Sequence, residues 1–458
     1  MNLSRFIINK IKQTPLNNLV TDSDNREIVK GAGTTFILKI IGLVFSYGFN
    51  IYFARVYGAK VMGLFTLAIT VAGIFSLFAQ MGTQTSLVRF VAQYAGQGNY
   101  NAVKKIYKLT LQWVLPLSIF LAIIFYFLSP FIANTIFHKP LLIIPFKITA
   151  FVLPFGVLMG VNTASLRGLK KIKDAFIFST VLPPVLNAIG LMVLTYFVFK
   201  SYLTPIYVNL ISAFIGAFYS LLLWKKRSAK LPFNNHKSDN IIDTKEIIKV
   251  SAPMFMTSAM LLIMGMTDVF MLGMFRTASE VGVYRVALKL ALFTSFTLGA
   301  ANSIAAPKFS ELYWLNNKDK LRNITKFSSK VIFWTALPIF VVTVLFAKPI
   351  LGIFGREFIT GSVALIILSS GQLVNASCGS VGLLLDMTGK QNIFRNIMII
   401  GAILNITLNF WFIPLYGIIG AALATAISTV IWNLITSIYI LKIYGYWIGY
   451  YPTLTKTN

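Results

Sequence analysis

The sequence predicts an all-α integral membrane protein of about twelve transmembrane helices, arranged as two parallel six-helix lobes around a central cavity. Three observations carry that expectation. Hydrophobic residues make up 57% of the 458, charged residues only 12%, and mean hydropathy is +0.75, far from a soluble globular mixture. Apolar stretches recur, each near the roughly 20 residues needed to cross a bilayer core as a helix. An internal repeat divides the chain into two halves.

The apolar stretches define spans at 31–54, 62–88, 109–131, 141–165, 175–199, 204–224, 249–275, 281–306, 328–348, 361–385, 393–413 and 417–441. The first begins near Gly31, behind a polar segment with Asp22, Asp24, Arg26, Glu27 and Lys30. A cleaved signal peptide would place its apolar core nearer the start. Ahead of it, Leu3, Phe6, Ile7 and Ile11 interleave with Arg5, Lys10 and Lys12 at near-helical spacing. That pattern fits a short helix on an anionic membrane surface, or equally a solvated tail. The fourth and ninth spans carry Pro145, Pro154 and Pro338, breaks that buried or cavity-facing helices tolerate because neighbours satisfy the freed carbonyls. The longest polar stretch follows Trp224 and includes Lys225, Lys226, Arg227, Lys230, Pro232, Asn234, Asn235 and Asp239. The expected organisation is a cytoplasmic N-terminal segment (1–30), an N-lobe (31–224), a cytoplasmic linker (225–248), a C-lobe (249–442) and a cytoplasmic tail (443–458).

A shift of 219 residues aligns Lys30 with Lys249, Gly63 with Gly282, Phe90 with Phe309, Tyr94 with Tyr313, Pro130 with Pro349, Leu166 with Leu385 and Lys171 with Lys390, all without a gap. Six crossings per half is even, so both halves enter the membrane from the same side. Parallel repeats place a ligand between them, with rocking of one half against the other giving alternating access.

Loop charge orients the chain. With the N-terminus inside, the inner segments hold 30 Lys and Arg; the outer loops hold seven, at Arg55, Lys60, Lys139, Lys200, Arg276, Lys348 and Arg356. That bias puts both termini in the cytoplasm of a cell-membrane protein. It also explains the net charge of +28 without nucleic acid. One cysteine, Cys378, and two histidines, His138 and His236, leave no His/Cys metal cluster and no intrachain disulfide. Paired carboxylates and a nucleotide-binding glycine loop followed by Lys-Ser/Thr are absent from the sequence, so neither an enzyme nor a cofactor is expected.

Five charges remain at membrane depth: Lys39, Lys147, Arg285 and Lys289, with Asp268 the one acid. A charge there is costly and by default faces a cavity or a partner. The positive excess points to an anionic ligand. Lys39, about two turns from the inner end of the first span, either contacts that anion or snorkels to the interface. Lys147, between Pro145 and Pro154 near an outer end, fits snorkelling better. Arg285 and Lys289 lie four residues apart and share one helix face. Asp268 lies at a similar depth on the seventh span, so the three could meet. Asp268 then either neutralises the cations or serves as an ion- or proton-coupling residue. Arg55 and Arg89 end the first two spans and complete the candidate set of substrate-binding cations.

The segments "KGAGTTFILKIIGLVFSYGFNIYFARVYGAKVMGLFTLA" (Lys30 to Ala68) and "MGTQTSLVRFVAQYAGQGN" (Met81 to Asn99) resemble the polysaccharide-export branch of the multidrug/oligosaccharidyl-lipid/polysaccharide flippase superfamily, the Wzx-type flippases. The shared pattern is an Ala-Arg pair (Ala54-Arg55), a Gly-x-x-x-x-Gly turn (Gly58/Gly63) and a basic loop from Arg89. "LRGLKKIK" (Leu166 to Lys173), "LDMTGKQN" (Leu385 to Asn392) and "NITLNFWFIPLYGIIGAALAT" (Asn405 to Thr425) resemble further family junctions. The resemblance spans Lys30 to Lys442. It implies transfer of a polyprenyl-pyrophosphate-linked oligosaccharide, such as an O-antigen or capsule repeat unit, from the cytoplasmic to the outer leaflet. It implies a cavity lined mainly by helices 1, 2, 7 and 8, with membrane lipids, glycosyltransferases and a polymerase as candidate partners. Two alternatives stay open: a cation-coupled multidrug exporter of the same superfamily, which commonly relies on intramembrane acids, and a peptidoglycan lipid-precursor flippase, usually of fourteen helices.

Overall fold

The structure is a computed structural model that describes residues 23–197, 200–232 and 244–450. The interfacial pattern at Leu3 to Lys12, most of the linker and the end of the tail lie outside the described residues. Those residues contain no β-strand, as expected where lipid offers backbone groups no partner and each segment must satisfy its own.

In chain order the helices are α1 (Ser23–Gln80), α2 (Thr83–Gly96), α3 (Tyr100–Phe131), α4 (Ile143–Ala150), α5 (Val152–Gly168), α6 (Ile172–Phe176), α7 (Leu182–Phe197) and α8 (Thr204–Ala229). There follow α9 (Thr244–Phe275), α10 (Ala278–Ala291), α11 (Phe296–Trp314), α12 (Lys318–Leu345), α13 (Ala347–Gly352), α14 (Ser362–Cys378), α15 (Val381–Met387) and α16 (Gln391–Tyr444). Seven helical stretches are long and apolar enough to cross a membrane, or eight with the bent pair α4 and α5 counted as one span. Two of the seven are double. At 58 residues, α1 would run about 87 Å if straight, far beyond a bilayer core. It breaks at Gly58 (φ 75°, ψ 175°), and α16 breaks in the same way at Gly417. At Gly58 the positive φ excludes most side chains, and a Cβ would also sit 2.7 Å from Glu357 Oε1.

Proline chemistry explains some of the remaining breaks. Pro154 has no N–H for the carbonyl of Ala150, and its ring crowds that oxygen. Accordingly α4 ends at Ala150, and α5 leaves at a 42° bend. Pro183 and Pro184 likewise leave the carbonyls of Ser179 and Thr180 without their helical donors, and the chain there forms a π-helical turn, Ile177–Val181. By contrast α12 runs unbroken through Pro338. The expected continuous span at 281–306 is interrupted: residues 291–295 form successive i→i−3 turns, among them Thr294 N–H to Ala291 O at 3.0 Å. No proline marks that break.

The outer surface is apolar: Phe127, Tyr196, Phe197 and Leu345 are each more than 70% exposed, a surface that suits lipid and would aggregate in water. The largest buried cluster includes Phe53, Leu67, Val281, Tyr284 and Ala287, from α1 and α10.

At the centre of that cluster the two helices cross backbone to backbone. A Cβ on Gly63 would lie 1.7 Å from the Ala278 carbonyl oxygen, and one on Gly282 would lie 2.1 Å from that of Ala59. The contact is reciprocal between positions 219 residues apart, Ala59 with Ala278 and Gly63 with Gly282. Small residues allow this approach, the small-xxx-small packing of membrane helices. Basic side chains from the loops read as outer reinforce the same end. Arg55 Nε donates to the Ile353 carbonyl at 2.6 Å, and Lys139 Nζ to that of Gly273 at 2.6 Å. Arg276 donates to the carbonyls of Ile413 and Pro414. Burial lowers the pKa of Lys139, and the nearby Glu280 charge partly offsets this. Near the other end, the buried hydroxyls of Ser86 and Ser251 share a 2.6 Å hydrogen bond.

Gly63→Val or Gly282→Val is expected to cost at least the ~1–3 kcal/mol typical of overpacking, read as a lower thermal unfolding midpoint in detergent. Gly48→Ala, where a Cβ meets nothing within 4 Å, is the control and leaves that midpoint unchanged or higher.

Candidate transport cavity

A cavity of about 670 Å³ opens on one side of the glycine crossing, the side that carries Lys39 and Lys289. Its wall comes from α1, the π-helical turn, α7, α8, α9, α10 and the broken segment after α10. Three sequence-predicted cations, Lys39, Arg285 and Lys289, line it together, and no Asp or Glu does so among the described residues. The remaining candidates sit elsewhere. Lys147 stacks over the Tyr126 ring at 5.1 Å. Arg55 belongs to the outer seal, and Arg89 is an exposed residue of α2, so neither reaches the cavity wall.

Lys289 is held by α1. Its Nζ donates to Ser46 Oγ at 2.8 Å and to the Ser46 carbonyl at 3.2 Å, and lies 5.1 Å from the Tyr47 ring centroid. In return Tyr47 Oη donates to the Lys289 carbonyl at 2.8 Å. One cation therefore ties α1 to α10 while facing the cavity. Arg285, one turn away on the same face, has no hydrogen-bond partner among the described residues. Its guanidinium fork is the freest anion-binding group in the cavity.

Lys39 lies seven residues before Ser46, about 10 Å nearer the N-terminal end of α1. Its Nζ approaches the Phe176 ring at 5.7 Å, and Arg167 Cζ approaches the same ring at 5.5 Å. Arg167 also donates to Ser179 Oγ at 3.3 Å, and Ser179 and Thr180 line the cavity. A second cation thus joins Lys39 beside this part of the cavity wall. Sequence reasoning missed Arg167 because it was counted among the basic loops that set topology. The usable signal was its position at the end of α5, facing the Pro183-Pro184 break.

Asp268 does not meet Arg285 or Lys289, the arrangement the sequence allowed. It is 2% exposed, off the cavity wall, and accepts hydrogen bonds from Tyr284 Oη (2.8 Å), Asn409 Nδ2 (2.9 Å) and Thr425 Oγ1 (2.5 Å). The two helix faces diverge: Tyr284 donates to Asp268, while its neighbour Arg285 lines the cavity. Asn409 Nδ2 also donates to Asn405 Oδ1, whereas Asn409 Oδ1 is buried without a partner among the described residues. The result is a compact group of oxygens from α9, α10 and α16. Among the described residues no three His, Cys, Asp or Glu side chains cluster as a metal site.

Apolar helices enclosing an acid-free cationic cavity define a multi-pass membrane protein with a transporter fold. Solved structures share that fold. The lipid II flippase MurJ in an inward closed conformation superposes with a TM-score of 0.72 at 17% identity, over 90% of this chain and 87% of that one. An inward-facing multidrug resistance MATE transporter gives 0.72 at 16% identity, over 90% and 98%. The family model for polysaccharide biosynthesis proteins matches residues 28–313, more than half of the chain, and that for MatE matches 253–411. The chain belongs to the polysaccharide biosynthesis protein family of the multidrug/oligosaccharidyl-lipid/polysaccharide superfamily, as the sequence resemblance implied. Among curated relatives, the probable low-salt glycan biosynthesis flippase Agl15 of Haloferax volcanii is 30% identical over 162 residues, which is 35% of this chain and 34% of that protein. The alignment spans about a third of that relative's length.

Asp268→Ala would strand three donors, two of them on the buried side chains of Tyr284 and Asn409. The expected destabilisation is about 1–3 kcal/mol for each stranded group, seen as a lower melting midpoint. Asp268→Asn, which keeps the shape and one acceptor, is expected to lose distinctly less.

Proposed function

We propose that the protein is a flippase that moves a polyprenyl-pyrophosphate-linked oligosaccharide from the cytoplasmic to the outer leaflet by alternating access. The observation that carries this reading is the acid-free cavity with Lys39, Lys289 and an unpaired Arg285 on its wall. A diphosphate cannot cross hydrocarbon unaided, because unpaired polar groups there cost several kcal/mol each. Cationic donors lower that barrier through charge-assisted hydrogen bonds to phosphate oxygens. Lys39 and Arg167 receive the headgroup at the mouth, Arg285 and Lys289 hold it deeper, and the polyprenyl tail stays in lipid.

Lys289 links the load to the motion. A diphosphate competing for its ammonium loosens the bonds to Ser46 and thereby the tie between α1 and α10. The two bodies that rock are the N-lobe and C-lobe, together twelve spans with both termini cytoplasmic. Support for this comes from the 219-residue repeat, the reciprocal Gly63/Gly282 contact and the loop-charge bias. The oligosaccharide load is supported by the family and by the named glycan flippase among the relatives.

Lys39→Ala, Arg285→Ala and Lys289→Ala, at matched expression, are each expected to reduce surface glycan about 10-fold or more, the loss of one charged hydrogen bond of roughly 1.5–3 kcal/mol. Lipid-linked glycan accumulates in the cytoplasmic leaflet. Unchanged surface glycan with all three replaced would sink the reading, and cationic-drug resistance conferred by the wild type would favour an exporter instead.

Asp268 is the coupling residue in this reading. Its carboxylate, the unpaired Asn409 Oδ1 and the Asn405 and Thr425 oxygens make an oxygen-rich group suited to a monovalent cation or a proton. In proteoliposomes, an imposed Na⁺ or H⁺ gradient is expected to accelerate wild-type transport, and Asp268→Asn to abolish that response. A variant that responds like the wild type excludes Asp268 from coupling.

A further inference from the structure

The cations occupy only part of the cavity wall. Asn187 on α7 and Asn209 on α8 also line it, and the side-chain carbonyl oxygen of each is buried with no hydrogen-bond partner among the described residues. Buried amides are ordinarily satisfied, so two unpaired ones on residues of one cavity wall call for an explanation. Packing fixes them there: Val208 Cγ1 lies 3.0 Å from where a Cβ on Gly190 would sit. That contact sets α7 against α8, with Asn187 one turn before Gly190 and Asn209 next to Val208.

From α1, Asn50 and Thr66 face the same space. Asn50 donates its amide to the Ser46 carbonyl, and Thr66 donates its hydroxyl to that of Met62. Their oxygens remain able to accept. The wall formed by these four residues is thus rich in uncharged acceptors, whereas Arg285 and Lys289 only donate. A ligand matched to both walls is anionic at one end and rich in neutral donors at the other.

We infer that Asn187 and Asn209 form a sugar subsite, where their amide oxygens accept hydrogen bonds from hydroxyl or acetamido N–H groups of the residues next to the diphosphate. This rests on the reading that the cavity cations hold that diphosphate. Each amide also carries donors, so adjacent sugar hydroxyls can be met in both senses. Discrimination of this kind is strong, because a ligand lacking the sugar leaves the buried amides unpaired.

The test compares two lipids, bare polyprenyl diphosphate and the same lipid bearing a disaccharide, binding to purified full-length protein in nanodiscs. Asn187→Ala/Asn209→Ala is expected to weaken the sugar-bearing lipid at least tenfold and the bare lipid less than twofold. Arg285→Ala is expected to weaken both. The near-isosteric Asn187→Leu/Asn209→Leu variant should lose the same discrimination while melting at or above the wild-type temperature, since it removes two unpaired buried groups. Wild-type discrimination in either amide variant overturns the sugar subsite, as does an equal loss for both lipids. Bare-lipid binding unaffected by Arg285→Ala overturns the cation reading instead.

Discussion

The crossing of α1 and α10 at Gly63 and Gly282 is the constraint on which the rest depends. Backbones this close leave no space for a side chain, so that end of the α1–α10 contact is sealed by main chain against main chain. The cavity lies on one side of the contact, where Lys39, Arg285 and Lys289 line its wall.

Charge placement follows from that geometry. Lys289 faces the cavity while bonded to Ser46 and stacked on Tyr47, so in the proposed mechanism an anion in the cavity competes for the bond that ties α1 to α10. Arg285, unpaired among the described residues, contributes attraction with no such link. Asp268 stands one side chain behind them, its carboxylate bound to Tyr284 and thus to the helix that carries both cations. An occupant of the Asp268 group would act on α10 through that bond.

Much of this was legible in the sequence. Hydropathy marked the apolar spans, and the cost of a charge in lipid singled out Lys39, Arg285 and Lys289, which do share a cavity. The 219-residue register even paired Gly63 with Gly282. What escaped has identifiable causes. The partners of Asp268 lie 141 and 157 residues away at Asn409 and Thr425, and neutral polar residues carry no signal in a composition-based search. A position along a helix does not specify which face a side chain takes, so the sequence does not separate Asp268 from Arg285 and Lys289. Arg167 was hidden among loop cations because topology alone already accounted for it. The interruption after Ala291 has no proline to announce it. Arg55 and Arg89 end the first two spans, but a helix-end position does not by itself bring a side chain to the cavity wall.

The most direct measurement of the central claim follows one labelled polyprenyl-diphosphate glycan across the bilayer of reconstituted vesicles, using a membrane-impermeant quencher to count the molecules facing outward. The wild-type protein should render the inner-leaflet pool accessible, and the Lys39→Ala/Arg285→Ala/Lys289→Ala protein, folded and equally reconstituted, should leave only the original outer pool quenched. Equal transfer by both proteins would show that the cavity cations do not carry the diphosphate, and the account would fail.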